Sequence, residues 1–208
     1  MLLIQCGDYY AYHDHKEKYL NCYLNIFKMV FLNLLLSCFY FMLPAYFANM
    51  APVIVRKINF LKIPMDFGKT INNKPIFGKY KTFRGFIFGV LFAIIASYVQ
   101  HLFYDNNIFA AISLIDYSNW LLVGFLLGFG AIFGDLMKSL VKRRLNYEPG
   151  EMFVPFDQVD FIIGALIFTY PFIPLSLDKL LVIIFLSFTL HVIVNHIAFY
   201  TKVRNERW

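Results

Sequence analysis

The chain has 208 residues, 60% of them hydrophobic and 15% charged, and its mean hydropathy is +0.60. A soluble domain carries roughly a quarter charged residues, so the composition excludes an ordinary globular protein and points to one polytopic membrane domain without a soluble module. The formal charge of +6 lies beside the ends of apolar runs rather than in a separate patch, which favours positive-inside topology and phosphate binding over a nucleic-acid partner.

Residues 1–28 mix tyrosines with His13, Asp14, His15, Lys16 and Glu17 and show no clear period. They are expected to be an N-terminal extension of disordered or surface character, or to be untranslated if the chain starts at Met29. His13 and His15 are read as surface residues rather than a metal site. Cys6, Cys22 and Cys38 have no metal-type spacing and predict no disulfide framework.

Residues 29–208 are expected to form an all-α membrane-embedded domain of about five transmembrane helices. The first helix is predicted over about Met29–Val55 and contains Pro44, Asn49 and Pro52. Residues 56–84 follow as a polar segment carrying eight bases, with two notable pieces: Asp66-Phe67-Gly68-Lys69 and Gly78 to Gly85, which includes Lys81, Thr82 and Arg84. Glycines with basic and hydroxyl residues at a helix start can cradle phosphate with backbone N–H groups, although no P-loop is present. The second helix is predicted over Phe86–Tyr104, the third from Trp120 through Arg144, the fourth over Asp157–Pro171 and the fifth over Lys179–Tyr200. In the third, Gly124, Gly128, Gly130 and Gly134 permit close helix contact.

The chemistry concentrates where the third and fourth helices meet polar sequence. Asp135 continues an apolar run, and a carboxylate in such a position marks a functional site more often than not. At about 100° per residue, Asp135, Lys138, Ser139 and Lys142 share one helix face, with Arg143 and Arg144 just beyond. Asp157 and Asp160 share a face of the next helix at i, i+3. Hard oxygen ligands of this kind suit Mg²⁺ completed by water and substrate phosphates. His191, Asn195 and His196 on the last helix read as hydrogen-bond partners between helices rather than ligands.

Fifteen of the nineteen lysines and arginines fall in the 56–84 segment, at 138–144 or in the C-terminal tail. With five helices, this distribution places the N-terminus outside and the C-terminus and the acidic cluster on the cytoplasmic side of a cell membrane.

Gly134-Asp135-(x)₃-Ser139-(x)₂-Lys142-Arg143, followed by Asp157-(x)₂-Asp160, resembles the signature of the CTP-dependent phosphatidate cytidylyltransferase family. The finer resemblance is to its archaeal branch, the CDP-archaeol synthases. It rests on Leu43 to Tyr46, Ala48-Asn49, Pro52, Asp66 to Lys69, Lys81 to Gly85, Gly134 to Ser139 and Asp157 to Phe161, in that order, and covers about Met29 to Trp208. The His-Gly-Gly element of the bacterial and eukaryotic relatives is absent before Asp157. The resemblance implies transfer of a cytidylyl group from CTP to an isoprenoid ether-lipid phosphate within the bilayer, with release of pyrophosphate. It implies Mg²⁺ on Asp135, Asp157 and Asp160. Ser139, Lys142 and Arg143 would act on the phosphates, and Asn49, Asp66, Lys69, Lys81, Thr82, Arg84 and Lys138 would complete the substrate and nucleotide site. A CTP-dependent polyprenol kinase and an ion or solute transporter are the alternative readings.

Overall fold

The computed structural model describes residues 15–148, 151 and 153–200, and almost all of its regular structure is helical. Helix α1 spans His15–Ile54 and ends in a single 3-10 turn, Val55–Lys57. It begins well before Met29, so the predicted boundary at that residue is too late. Residues 15–28 alternate Lys, Glu, Leu, Tyr and Asn, which lack an amphipathic period yet propagate a helix already held by its membrane part. With 40 residues, α1 is about 60 Å long, twice the hydrocarbon core. Its second half carries the buried Phe41, Met42, Ala45 and Ala48, whereas Leu20, Leu24, Phe27 and Phe31 are exposed. Cys22 is disulfide-bonded, contrary to the expectation from spacing; a bridge needs only the right three-dimensional separation, which sequence intervals do not report. Cys38 is a free, buried thiol.

Helix α2 covers Phe83–Tyr104, a short α3 covers Asn107–Ala111, and α4 covers Trp120–Arg144. Helix α5 runs from Phe156 to Thr169 and α6 from Leu177 to Tyr200. Among the described residues, α1, α2, α4 and α6 are each long and apolar enough to cross a membrane. The chain is a multi-pass membrane protein. Helix α5 has 14 residues, or about 21 Å, shorter than the hydrocarbon core.

The glycines of α4 fix how its neighbours approach. A Cβ at Gly130 would lie 2.6 Å from the carbonyl oxygen of Gly164 and 2.8 Å from Cα of Ala165, so α5 rests directly on the α4 backbone. On the other side, a Cβ at Gly124 would lie 2.7 Å from Cα of Ile94, which seats α2 equally closely. In a bilayer, where lipid tails are as apolar as leucine, such backbone-to-backbone packing is what holds helices together.

Residues 58–82 form a strap rather than an irregular loop. Its base is closed by hydrogen bonds from Met65 N to Lys81 O (2.8 Å) and from Phe83 N to Ile63 O (3.0 Å). Its tip is a two-stranded hairpin, β1 (Thr70–Ile71) and β2 (Lys74–Pro75), paired antiparallel. Asn72 and Asn73 turn the hairpin with φ of 53° and 61°, the left-handed values that a tight two-residue turn requires and asparagine tolerates.

Candidate active site

Each acid of the site is delivered by a different constraint. Asp135 follows Gly134, whose missing side chain lets the Asp160 carbonyl of α5 reach the α4 backbone. Asp135 and Asp160 therefore sit at the same level of two touching helices. Asp157 lies in the first turn of α5, where its carboxylate accepts the Phe153 N–H at 2.7 Å.

All three acids gather on one ammonium. Lys138 Nζ lies 3.2 Å from Asp135, 3.0 Å from Asp157 and 2.6 Å from Asp160. Lys81 reaches in from the strap to the other oxygen of Asp135, and Lys142 Nζ stands 3.3 Å from Asp157. The cluster thus pairs Asp135, Asp157 and Asp160 with Lys81, Lys138 and Lys142. Its charges balance, which is how ionised groups persist at a membrane boundary. On α4, Asp135 and Lys138 pair at i, i+3. Ser139 is buried and donates its hydroxyl to the Asp135 carbonyl at 2.9 Å.

Around this centre the other predicted residues divide. Arg143 turns its guanidinium to the carbonyls of Tyr147 and Glu148, and Lys142 also donates to the Glu151 carbonyl. These bonds tie the loop between α4 and α5 back onto the α4 C-terminus, where free carbonyls favour cations. Thr82 caps α2, its hydroxyl oxygen accepting the Gly85 N–H at 3.3 Å. Arg84 is buried and donates to the Ile58 carbonyl, so it braces the foot of the strap. Asp66 is buried and accepts from the N–H groups of Gly68 (3.0 Å), Phe77 (3.1 Å) and Gly78 (2.9 Å). Burial pushes its carboxyl up, but these backbone donors outweigh that and hold it below the usual carboxylate range. Its oxygens are therefore directed into the strap itself. Asn49 on α1 and Lys69, exposed on the strap, make no hydrogen bond or ion pair to the acidic cluster among the described residues. The side chain of Asn195 lies outside the described residues. His191 has its ring 6.3 Å from that of Phe161, the neighbour of Asp160.

A cavity of about 370 Å³ opens between α4 and α5 directly beside the cluster. Its surface is almost wholly apolar, lined by Phe133, Met137, Val159, Ile163, Ile167 and Phe168, with Lys138 and Asp160 at its border. An apolar cavity and a charged cluster thus lie next to each other, sharing Lys138 and Asp160.

A family model described as CarS-like, CDP-archaeol synthase, matches residues 31–208. The chain belongs to the CDP-archaeol synthase family. It is 37% identical over 175 residues to the CDP-archaeol synthase of Pyrococcus furiosus, an alignment covering 84% of this chain and 98% of the relative. It is 33% identical over 184 residues to that of Methanocaldococcus jannaschii, covering 86% of this chain and the whole relative. A solved structure described as an intramembrane enzyme for archaeal membrane lipid biosynthesis superposes with a TM-score of 0.62 at 26% identity, over 75% of this chain and 90% of that one. The family match contains the whole acidic cluster, the strap and the α4–α5 cavity.

One residue of the site's surroundings escaped the sequence reading. Arg144, counted there only as a cytoplasmic charge, donates Nη1 to Ile71 O at 2.6 Å and Nη2 to Pro75 O at 2.7 Å and Lys74 O at 3.2 Å. Its position at the end of a basic run was the only signal, and that signal did not separate it from Arg143.

Proposed function

We propose that this chain transfers the cytidylyl group of CTP to 2,3-bis-O-(geranylgeranyl)-sn-glycerol 1-phosphate, releasing pyrophosphate and forming CDP-archaeol. The observation that carries this reading is the cluster of Asp135, Asp157 and Asp160 with Lys81, Lys138 and Lys142 bordering the apolar α4–α5 cavity. A lipid phosphate can lie there with its glycerol end and first isoprene units in the cavity and its tails in the bilayer. A membrane enzyme acting on a charged amphiphile needs both halves together.

A phosphate oxygen of the lipid attacks the α-phosphorus of CTP. The new P–O bond forms as the α–β phosphoanhydride bond breaks, and pyrophosphate leaves with the bonding pair. Since the substrate supplies the nucleophile, the protein's work is alignment and charge neutralisation. Lys81, Lys138 and Lys142 are held in place by carboxylates before substrate binds, so their ammonium groups are preorganised to exchange those partners for phosphate oxygens. Ser139 and Arg143 support the same turn of α4.

Mg²⁺ is the cofactor this chemistry implies. The carboxylates fit it by donor type, since Mg²⁺ takes hard oxygens and binds through one or two carboxylates plus water and substrate phosphates. The point on which the three carboxylates converge is taken by the Lys138 ammonium. Asp135, Asp157 and Asp160 would hold the ion, which supplies neutralisation of charge on the triphosphate. The distribution of bases orients the cluster to the cytoplasm, where CTP is made, with the N-terminus outside.

Incubating purified protein with the lipid phosphate, Mg²⁺ and CTP labelled at either the α or the γ position tests the reading. Label from the α position enters lipid as pyrophosphate appears. Transfer of the γ label instead would identify a lipid kinase, and ion flux without CTP turnover a transporter.

A further inference from the structure

The basic segment between α1 and α2 makes contact with α4 at two places. Near its C-terminal end, Lys81 pairs with Asp135. At its tip, Arg144 forks onto the carbonyls of Ile71, Lys74 and Pro75, and Lys74 Nζ returns a bond to the Arg144 carbonyl at 3.4 Å. The two α4 positions are nine residues apart, or roughly 13 Å along the helix. Ser139, Lys142 and Arg143 lie between them. Gly78 of the strap, where φ is +98°, passes close to Arg143: a Cβ there would be 3.8 Å from Nε. Within the strap, Asp66 gathers three backbone N–H groups and makes the segment from Gly68 to Gly78 one unit. The strap therefore runs alongside the last turns of α4 and is pinned at both ends.

We infer that Arg144 is a positioning residue for the nucleotide: it fixes the strap as the outer wall of the CTP site and so sets where Lys81 meets the triphosphate. The inference rests on the CTP reading given above. Arg144 touches only main-chain carbonyls of the strap, so its effect reaches the substrate through the strap alone. A planar guanidinium satisfies three carbonyls from one fixed fork; an ammonium on a flexible stem does not. Because the recognised groups are carbonyls, the hairpin sequence itself is free to vary provided its turn survives.

Arg144→Lys keeps the charge at the α4 C-terminus, so insertion and folding persist, and Arg144→Ala removes the anchor. Both are assayed beside the wild type for cytidylyl transfer and for tryptic cleavage after Lys69 and Lys79, strap lysines not followed by proline. The expected result for Arg144→Lys is a KM for CTP raised about tenfold, the effect of losing one charge-assisted hydrogen bond. Its kcat stays within about twofold and its KM for the lipid phosphate does not change. Cleavage accelerates in the variant, and CTP with Mg²⁺ protects the wild-type strap more than the variant one. An unchanged KM for CTP in Arg144→Lys, or an equal loss in kcat and in both KM values, overturns the inference. If wild-type protein itself transfers no cytidylyl group, the CTP reading fails instead, and absence of any CTP effect on wild-type cleavage then overturns the strap's role independently.

Discussion

Replacing Gly134 by alanine adds one methyl group at the closest approach of α4 and α5. An ideal Cβ there lies 3.0 Å from the carbonyl carbon of Asp160 and 3.1 Å from Cα of Gly164, and closer still to the Asp160 carbonyl oxygen. All three are backbone atoms, so no rotamer change relieves the contact, and the helices must part by roughly 1 Å to recover ordinary van der Waals distances. Overpacking of this kind costs about 1–3 kcal/mol of stability. The functional cost is larger, because the displaced residue carries Asp160 away from Asp135, and a shift of about 1 Å in a reacting constellation lowers rate by about a hundredfold. The assay is the initial rate of α-label transfer at saturating substrates, measured with Tm in the same detergent. Gly124→Ala is the internal control. Its Cβ would lie 2.7 Å from Cα of Ile94 and 3.0 Å from the Ala93 carbonyl, also a backbone clash, here with α2, but it is eleven residues and roughly 16 Å from Asp135. It is expected to lower Tm comparably while keeping its rate within about threefold. Retention of more than half the rate in Gly134→Ala, or an equal rate loss in Gly124→Ala, refutes the reasoning.

Three further outcomes follow from the same structure. Single cysteines at Asn73 and Asn107, in a background without the native three, should label from opposite sides of the membrane, Asn73 from the cytoplasm; outside labelling of both would reverse the orientation. A chain beginning at Met29 should retain turnover, since the family match starts at residue 31; loss of activity in a correctly inserted truncation would give the extension a role. Asp66 has a lowered carboxyl pKa in the folded protein, so its contribution to strap stability is complete above the unfolded value of 3.8 and is lost as pH falls through the folded value. Amide exchange protection at Phe77 and Gly78, corrected for intrinsic rates, should be flat from about pH 5 to 8 and weaken only below about pH 4; weakening near neutrality would show that another group holds the strap.

The long apolar runs that end in acids and bases made α4 and α5 legible. Burying helix faces in lipid leaves an uninterrupted pattern, and Asp135, Lys138 and Lys142 interrupt it at helical spacing. What the pattern did not disclose is the register between the two helices. That register comes from Gly134 and Gly164 meeting backbone to backbone, and it alone puts Asp135, Asp157 and Asp160 around Lys138. The strap was hidden for a different reason. Its hairpin and its anchor are built from main-chain groups, so Arg144 has no side-chain partner to betray it. Asp66, expected in the nucleotide site from the resemblance, accepts from three N–H groups of its own loop, a role that sequence spacing does not report. The start of α1 was misplaced because residues 15–28 propagate a helix without forming an amphipathic face.

The most direct measurement of the central claim is cytidylyl transfer by Asp135→Asn and Asp160→Asn with the ether-lipid phosphate, at saturating CTP and over a titration of Mg²⁺. Both substitutions remove a charge at nearly constant volume, so insertion and folding should survive, as a matching elution profile and Tm would show. The account predicts a rate at least about a hundredfold below wild type for each, because the triphosphate loses its clamp where charge develops on the leaving group. Near wild-type transfer by both variants at limiting Mg²⁺ would contradict it, and would leave the acids as structural partners of Lys81 and Lys138.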